Sequence, residues 1–185
     1  SVIADGKEVG DPTETALINV CKNQYRKIRE AHPRFSELPF DSDRKLMSTC
    51  HEIDGQCIMI TKGAVDVLLE RTDQIKVKDE TRNIRAEDKE MIEQQNLTFS
   101  KEGLRVLAFA YKIVTKDFIP KPEDETGYTF LGLISMMDPP RAESDDAVAE
   151  CIKAGVQPSM ITGDHKITAS AIDNRIGLLK EDSEE

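Results

Sequence analysis

Several features are missing from this chain of 185 residues, and each absence excludes a class of protein. The sequence has no tryptophan, and its longest apolar run, residues 130–137, is far shorter than the roughly 18–20 residues that a membrane helix needs. No basic start followed by an apolar stretch marks a secretory signal. We therefore expect no direct membrane insertion by these residues and a location in the cytosol.

Positive charge is scarce as well. The chain has 35 acidic and 25 basic residues, which leaves a formal net charge of -10. Affinity for a phosphate backbone comes from an excess of Lys and Arg, so this balance argues against a nucleic-acid partner. Any phosphate that the chain holds must meet a local cluster of basic residues.

Metal-site and phosphate-loop patterns are absent from the sequence. Three histidines lie far apart and four cysteines form no CxxC pair, so we expect no metal site and reduced thiols. The loops GxxxxGK(S/T) and GxGxxG are missing, which leaves a P-loop or Rossmann domain without support. The cysteines are Cys21, Cys50, Cys57 and Cys151.

A strong helix start lies near the beginning of the chain. Asp11 can cap the helix, Pro12 suits its first position, and Glu14 can reach back as in a capping box. Apolar residues at helical spacing follow. The sequence therefore predicts a helix over residues 12–22.

Asp54 and Gly55 predict a β-hairpin over residues 45–61, because this pair supplies the positive φ angles of a two-residue turn. The register places Cys50 and Cys57 as diagonal neighbours on one face, which favours two packed thiols over a disulfide in a reducing cytosol. Before the hairpin, prolines at positions 33 and 39 predict an irregular segment, since a residue that precedes proline avoids helical geometry. The next strand is expected to begin after this segment.

The same hairpin register brings two lysines together. It pairs Met47 with Lys62, and strand alternation then places Lys45 on the face of Lys62 as a diagonal neighbour at roughly 7–8 Å. Two such ammonium groups repel each other unless solvent screens them or an anion lies between them. A polyphosphate would suit this position.

Further elements alternate along the chain, without internal repeats. Residues 75–83 favour a charged loop or a weak hairpin, and residues 115–127 a solvated loop that includes the acidic cluster Glu123, Asp124 and Glu125. Helical and apolar strand patterns cover residues 64–71, 86–101, 105–111 and 128–137.

After residue 137 the pattern changes. A helix over residues 143–154, a short strand over residues 156–161 and a helix over residues 165–175 make an α-β-α run that is typical of half of a wound parallel sheet. Two prolines at the change suggest a hinge. The predicted strand needs parallel neighbours to cover its edges.

Six short motifs are spread over nearly the whole chain. They are GDPTETAL at residues 10–17, FDSDRK at 40–45, TKGA at 61–64, GLRVLA at 103–108, DPPR at 138–141 and MITGD at 160–164. In this order they resemble the motifs of P-type cation-transporting ATPases, in particular the calcium-pump-like branch. The ordered set is far more specific than any one of its members.

The resemblance implies an α+β fold in two parts. Residues 1–137 are expected to form the nucleotide-binding domain, an antiparallel sheet of about six strands flanked by helices. Residues 138–185 are expected to form a hinge and a partial phosphorylation-domain segment, with an incomplete haloacid-dehalogenase-like α/β fold.

The resemblance also implies roles for single residues. Phe40 resembles the aromatic residue that stacks on adenine, and Glu14 the acid near the adenine amino group. Lys62 resembles the lysine that lines the pocket, while Lys45 and Arg105 match the cations that reach the phosphates. The residues that match the hinge and the phosphorylation side, near the γ-phosphate and its Mg²⁺, are Asp138, Arg141, Thr162, Gly163 and Asp164.

Two family motifs do not occur in these residues. One is DKTGT, whose aspartate receives the phosphoryl group, and the other is the metal-binding GDGxND. Without a nucleophile and metal carboxylates, we expect the chain to bind ATP and ADP without turnover. The resemblance assigns Mg²⁺ to the intact parent, on the cytoplasmic side of the cell membrane.

Three functions from different classes remain open. The first is the ATP-binding module of a cation pump, with the phosphorylation, actuator and membrane domains of the pump as partners. The second is a small haloacid-dehalogenase-like phosphohydrolase, which the lack of a nucleophile strand disfavours. The third is an interaction or regulatory domain that keeps the fold without binding nucleotide.

Each site residue also has a simpler explanation when it is taken alone. Glu14 is explained by the capping box, and Phe40 by a place in the core. The lysines suit solvated strand positions, Arg105 suits a salt bridge, and residues 162–164 suit a strand-to-helix turn with a cap. Their occurrence together, in the family order, favours the nucleotide site.

The resemblance predicts self-association as well. The central strand of the parallel sheet, which carries the phosphorylated aspartate in the family, is not among these residues. The apolar surface of residues 138–185 therefore lacks its usual cover, and pairing with a second copy would bury it.

Overall fold

A computed structural model describes residues 2–4, 7–9, 12–21, 24–137, 144–161, 166–175 and 178. The expected helix cap Asp11 lies outside the described residues. So do five of the expected site residues, which are Asp138, Arg141, Thr162, Gly163 and Asp164.

Strands and helices alternate along the described chain. The strands are β1 (Val2–Ala4), β2 (Lys7–Val9), β3 (Arg34–Asp41), β4 (Leu46–Ile53), β5 (Gln56–Gly63), β6 (Thr72–Val77), β7 (Glu80–Asn83), β8 (Leu104–Ile113) and β9 (Tyr128–Met137). The helices are α1 (Pro12–Cys21), α2 (Tyr25–Ala31), α3 (Val65–Glu70), α4 (Ala86–Lys101), α5 (Ser144–Lys153) and α6 (Lys166–Arg175). The predicted helices thus form close to the expected bounds, whereas α2 and a 3-10 turn at Pro122–Asp124 were not expected.

The chain divides into two compact units. The first comprises residues 1–84 and 108–132, and the second comprises residues 85–107 and 133–185. In the second unit α4 packs against α6. The first unit contains the apolar core around β4, β5 and α3, with side chains such as Leu46, Met59 and Leu68 fully buried.

Seven strands form one sheet in the order β3-β4-β5-β8-β9-β6-β7, and β1 and β2 form a separate antiparallel pair. The α+β class is confirmed, and the strand count agrees with the expected sheet of about six, but the expectation of a purely antiparallel sheet needs correction. The sheet has seven strands and is mixed, because β6 runs parallel to β9. A parallel pair needs a long connection, and α4 and β8 lie in the chain between these two strands.

The hairpin of β4 and β5 has the expected register. Asp54 and Gly55 form its turn with φ angles of 51° and 76°, and Met47 pairs with Lys62. Cys50 is buried and is a free thiol, as expected from the sequence. Burial also raises the pKa of this thiol above its ordinary value. A charged loop or a weak hairpin was expected over residues 75–83. The structure has the hairpin, which β6 and β7 form.

The alternation argument for Lys45 is wrong. Lys45 has a φ angle of 56° and lies in the turn before β4, which begins at Leu46. Side chains alternate between faces only along an extended strand, so the face of Lys62 cannot be extended to Lys45 by counting residues. The backbone carbonyl of Lys45 instead accepts a hydrogen bond from the N–H group of Ala64, two residues after Lys62.

The segment with two prolines is a strand rather than an irregular stretch. β3 lies at the edge of the sheet, where Pro39 needs no partner for its missing N–H group. The pairing of β3 with β4 shifts between Leu38 and Asp41, which marks a bulge at this proline. Proline therefore bends the edge strand without ending it.

A strand was also expected over residues 156–161, and the structure has none there. These residues follow α5 as an irregular segment. Pro158 lacks a backbone donor, and among the described residues no strand pairs with this segment. Without a neighbouring ladder, the apolar pattern alone does not make a strand.

The two faces of the β4–β5 hairpin differ in burial. Met47 and Lys62 lie on the half-buried face, directly opposite each other. The buried face forms the core and includes Leu46, Ser48, Cys50, Met59, Thr61 and Gly63. Alternation thus places Thr61 in the core and the next residue, Lys62, on the half-buried face.

A buried carboxylate lies in this core. Glu125 was expected in a solvated acidic cluster, yet it is only 1% exposed. Its Oε1 accepts a hydrogen bond from Ser48 at 2.7 Å, and its Oε2 accepts one from Arg44 at 2.5 Å. Arg71 lies 3.8 Å from Oε2 and donates to the backbone carbonyl of Glu125 at 3.2 Å. Two cations and a hydroxyl offset the cost of burying the charge.

Three buried hydroxyl groups continue from this carboxylate. Ser48 lies 2.8 Å from Thr61, and Thr61 lies 2.8 Å from the hydroxyl of Tyr128. Thr61 donates to the hydroxyl of Tyr128 and Ser48 donates to Glu125, so the four polar groups form one buried series. Burial, with a smaller effect from the charge of Glu125, raises the pKa of Tyr128 to about 12.

The raised pKa of Tyr128 predicts a loss of stability at high pH. In the unfolded chain tyrosine titrates near pH 10, so the stabilisation is complete below about pH 10 and is lost as the pH rises to about 12. We expect the free energy of unfolding to fall by about 2–3 kcal/mol more over this interval in the natural chain than in Tyr128→Phe. Urea unfolding at a series of pH values measures the difference.

At neutral pH the same variant loses one hydrogen bond and should be less stable by about 1 kcal/mol. The stability curves of the two proteins should therefore cross on the way to pH 12. A gap that stays constant from pH 8 to 12 would show that Tyr128 does not keep its proton in the folded state.

Candidate functional site

One row of residues runs across four neighbouring strands at one end of their pairing. Asp41 in β3 pairs with Leu46 in β4, Leu46 pairs with Gly63 in β5, and Gly63 pairs with Ala108 in β8. These residues are far apart in the sequence. The registers bring them side by side.

Three of the expected site residues each precede a member of this row by one position. They are Phe40, Lys45 and Lys62. Neighbouring strands lie about 4.8 Å apart, so the backbones of these three residues fall within roughly 10 Å of one another. The structure therefore gathers them at one end of β3, β4 and β5.

Phe40 lies near the end of the edge strand and is 62% exposed. A place in the core, the simpler explanation that the sequence allowed, is thus excluded. The bulge beside Pro39 turns the backbone at this point of β3. An exposed aromatic face of this kind can stack on a flat ligand.

Lys62 and Glu14 form an ion pair. The Lys62 Nζ atom donates to the Glu14 Oε1 atom, and their side chains are 20% and 35% exposed. The contact joins α1 to the half-buried face of β5, where Lys62 pairs with Met47 and Phe109. Glu14 therefore has a tertiary partner beyond any role in capping α1.

The side chain of Asp41 builds the turn that carries Lys45. Its Oδ1 atom accepts hydrogen bonds from the backbone N–H groups of Asp43 at 3.0 Å and Arg44 at 2.9 Å. Mainly because of the bond from Arg44, the pKa of Asp41 lies below its ordinary value. The turn is closed by the N–H of Lys45, which donates to the carbonyl of Asp41 at 2.7 Å.

Arg44 connects this turn to the core. Its Nη2 atom donates to the carbonyl of Pro39 at 2.6 Å, while its Nη1 atom donates to Glu125. Sequence reasoning placed Arg44 within a motif and gave it no role of its own. It missed Glu125 altogether, because nothing beside that residue distinguishes it from the other acids of its cluster.

Gly63 lets the turn lie directly against β5. A Cβ atom at Gly63 would lie 2.2 Å from the backbone oxygen of Lys45. The next residue, Ala64, donates its N–H group to the same oxygen at 3.2 Å. The glycine of the TKGA motif is thus explained by the close approach of two backbones.

Known proteins match nearly the whole of this chain. A family model described as "P-type ATPase, cytoplasmic domain N" matches residues 3–143. The chain is 45% identical to calcium-transporting ATPase 1 of Lactococcus lactis, over 96% of this chain and 21% of that protein. It is 43% identical to a calcium-transporting ATPase of Listeria monocytogenes, over 98% and 21% of the two chains.

The chain belongs to the P-type ATPase family. The sodium/potassium-transporting ATPase subunit alpha of Tetronarce californica is 36% identical, over 95% of this chain and 19% of that protein. The chain thus spans about a fifth of the length of these relatives. Within the residues that the structure describes, none of the helices has the length and apolar character that crossing a bilayer requires.

The remaining P-type motif residues lie elsewhere in the chain. Arg105 is a half-buried residue of β8 and belongs to the second unit. The DPPR motif and the TGD part of MITGD lie outside the described residues. Their expected roles remain predictions from the family resemblance.

The contact at Gly63 predicts a sensitive position in this P-type ATPase chain. Gly63→Ala should lower the free energy of unfolding by about 1–3 kcal/mol, because either β5 or the turn must move away. Gly55→Asn is the matched control, since no atom lies within 4 Å of its Cβ position and asparagine tolerates positive φ. Equal urea midpoints for Gly63→Ala and the natural chain would contradict the close approach.

Proposed function

We propose that this chain is the ATP-binding module of a P-type cation pump of the calcium-transporting branch. In this proposal it presents ATP to an aspartate of the phosphorylation domain, which these residues do not include. The observation that carries the proposal is the gathering of Phe40, Lys45 and Lys62 at one end of the sheet. Their types suit an aromatic ring and an anionic chain as ligand.

The adenine end is assigned to Phe40 and Glu14. Stacking on an exposed aromatic ring is favourable for a purine and depends little on its phosphates. A carboxylate accepts hydrogen bonds, so Glu14 suits the exocyclic amino group of adenine. GTP carries a carbonyl oxygen at the corresponding position, and a carboxylate would repel it.

The phosphate end is assigned to the cations. The exposed Lys45 supplies an ammonium group near Phe40, and Lys62, which is paired with Glu14, lines the pocket. Arg105 is assigned to the phosphates from the family resemblance. With a net charge of -10 on the whole chain, a local cluster of cations must supply the attraction.

The remaining assignments follow from the same proposal. Residues 1–137 form the nucleotide-binding domain and residues 138–185 the hinge and part of the phosphorylation domain. Its partners are ATP or ADP and the rest of the parent pump, at the cytoplasmic face of a cell membrane.

Mg²⁺ belongs to the intact parent, where Asp138, Arg141, Thr162, Gly163 and Asp164 would approach the γ-phosphate. The chain alone should bind nucleotide without Mg²⁺ and without releasing phosphate.

Nucleotide titration tests the assignment of Phe40. We expect the chain to bind ATP with a Kd of roughly 0.1 mM to several mM, or about -4 to -5.5 kcal/mol. Phe40→Ala should cost about 1–3 kcal/mol with ATP, ADP and AMP alike, because the base is the same in all three. NMR or calorimetric titration with these nucleotides and GTP measures the effect.

Lys45→Ala is the contrasting variant for this experiment. It should weaken ATP more than AMP, because its charge is assigned to the outer phosphates. Binding of all three nucleotides that is unchanged in Phe40→Ala would remove the adenine role of Phe40. No saturable binding of ATP at 10 mM, or equal affinity for GTP, would favour an interaction domain without a nucleotide.

We also propose that the chain associates with a second copy through residues 138–185. The described part of this segment exposes apolar side chains, among them Ile161, which is 98% exposed. Burying such a surface against a second copy would be favourable. Sedimentation of the full chain should show a dimer that grows with concentration, and a monomer at high concentration would contradict it.

A further inference from the structure

We propose that Glu125 is a positioning residue for nucleotide binding. From inside the core it holds the guanidinium group of Arg44, and through Arg44 it fixes the turn that carries Phe40 and Lys45. The effect on affinity rests on the proposed function, whereas the effect on the turn does not.

The first step is that the core fixes Glu125 from several sides. The Lys112 Nζ atom donates to the backbone carbonyls of Asp124 and Thr126, the two neighbours of Glu125 in the chain. The same ammonium group lies 5.7 Å from the ring centre of Tyr128. The backbone on both sides of Glu125 is thus tied to β8, which aims its side chain at Ser48 and Arg44.

The second step is that Arg44 transmits this position to the turn. Its two terminal nitrogens lie 2.5 Å from Glu125 Oε2 and 2.6 Å from the carbonyl of Pro39. A planar guanidinium group holds two acceptors in a fixed relation, which the single ammonium group of lysine cannot do. The residue after this carbonyl is Phe40.

The third step is that burial does not hold the side chains of Phe40 and Lys45 in place. Phe40 is 62% exposed, and Lys45 is exposed as well. Their direction is therefore set mainly by the backbone that carries them. That backbone is held by Arg44 at one end and by the contact of Lys45 with Gly63 at the other.

A purely structural ion pair would behave differently. It would stabilise the fold, and its loss would lower the urea midpoint without a specific effect on the base of the nucleotide. A positioning residue must act through Phe40. The loss that Arg44→Lys causes in AMP binding should therefore disappear when Phe40 has already been removed, as in a double-mutant cycle.

The first experiment needs no nucleotide. Amide hydrogen exchange is measured by NMR on the natural chain, on Arg44→Lys and on Arg34→Lys. Arg34 also lies on β3 and pairs with Glu37 at the surface, so its variant is a matched control. We expect the amides of Arg44 and Lys45 to exchange at least about tenfold faster in Arg44→Lys and at the natural rate in Arg34→Lys.

The second experiment measures AMP affinity in the same proteins, in Phe40→Ala and in the double variant that combines Phe40→Ala with Arg44→Lys. Arg44→Lys should weaken AMP about three- to tenfold, Arg34→Lys should leave it unchanged, and the double variant should match Phe40→Ala within about twofold. Glu125→Gln should act in the same direction as Arg44→Lys. If it does not fold, Arg44→Lys still decides the question.

The outcomes separate this proposal from the proposed function. Natural exchange rates in Arg44→Lys would overturn the positioning of the turn, whether or not nucleotide binds. A loss of AMP affinity that persists in the Phe40→Ala background would overturn the route through Phe40. If the natural chain binds no nucleotide while the exchange rates change as expected, the proposed function fails and the hold of Glu125 on the turn stands.

Discussion

The carboxylate of Glu125 is the group on which the rest of the first unit depends. It lies where β4, β5, β9 and the turn after β3 approach one another, and it holds Arg44 and Ser48 directly. Removing one partner would leave a buried charge uncompensated, which typically costs about 3–5 kcal/mol. The same charge that makes the core costly to form therefore makes its arrangement specific. Its hydroxyl chain to Tyr128 adds three groups that must be satisfied together.

This arrangement explains why the family motifs combine structural residues with residues of the proposed site. In FDSDRK, Asp41 builds the turn and Arg44 anchors it, while Phe40 and Lys45 remain available at the surface. In TKGA, Lys62 forms the ion pair with Glu14, and the glycine that follows leaves room for the backbone of the turn before β4. Each motif thus contains residues of the proposed site together with the residues that hold their backbone in place.

Local signals predicted most elements correctly where the reason for a structure lies within the segment. The turn at Asp54 and Gly55 fixed the hairpin register, and the capping pattern near Pro12 marked the start of α1. Sequence reasoning failed where an element depends on its neighbour. Pro39 is tolerated because β3 is an edge strand, and residues 156–161 form no strand because no described strand pairs with them. Neither condition can be read from the segment itself.

The sequence by itself determined the family, the α+β class and the identity of the residues at the proposed site, because ordered motifs and turn chemistry are local properties. The tertiary structure decided which of those residues meet. It alone paired Glu14 with Lys62, which are 48 positions apart, and it alone buried Glu125 among residues from distant segments. The physical reason is that a carboxylate becomes buried or exposed according to the partners that the fold brings to it, and the chain beside it carries no record of those partners.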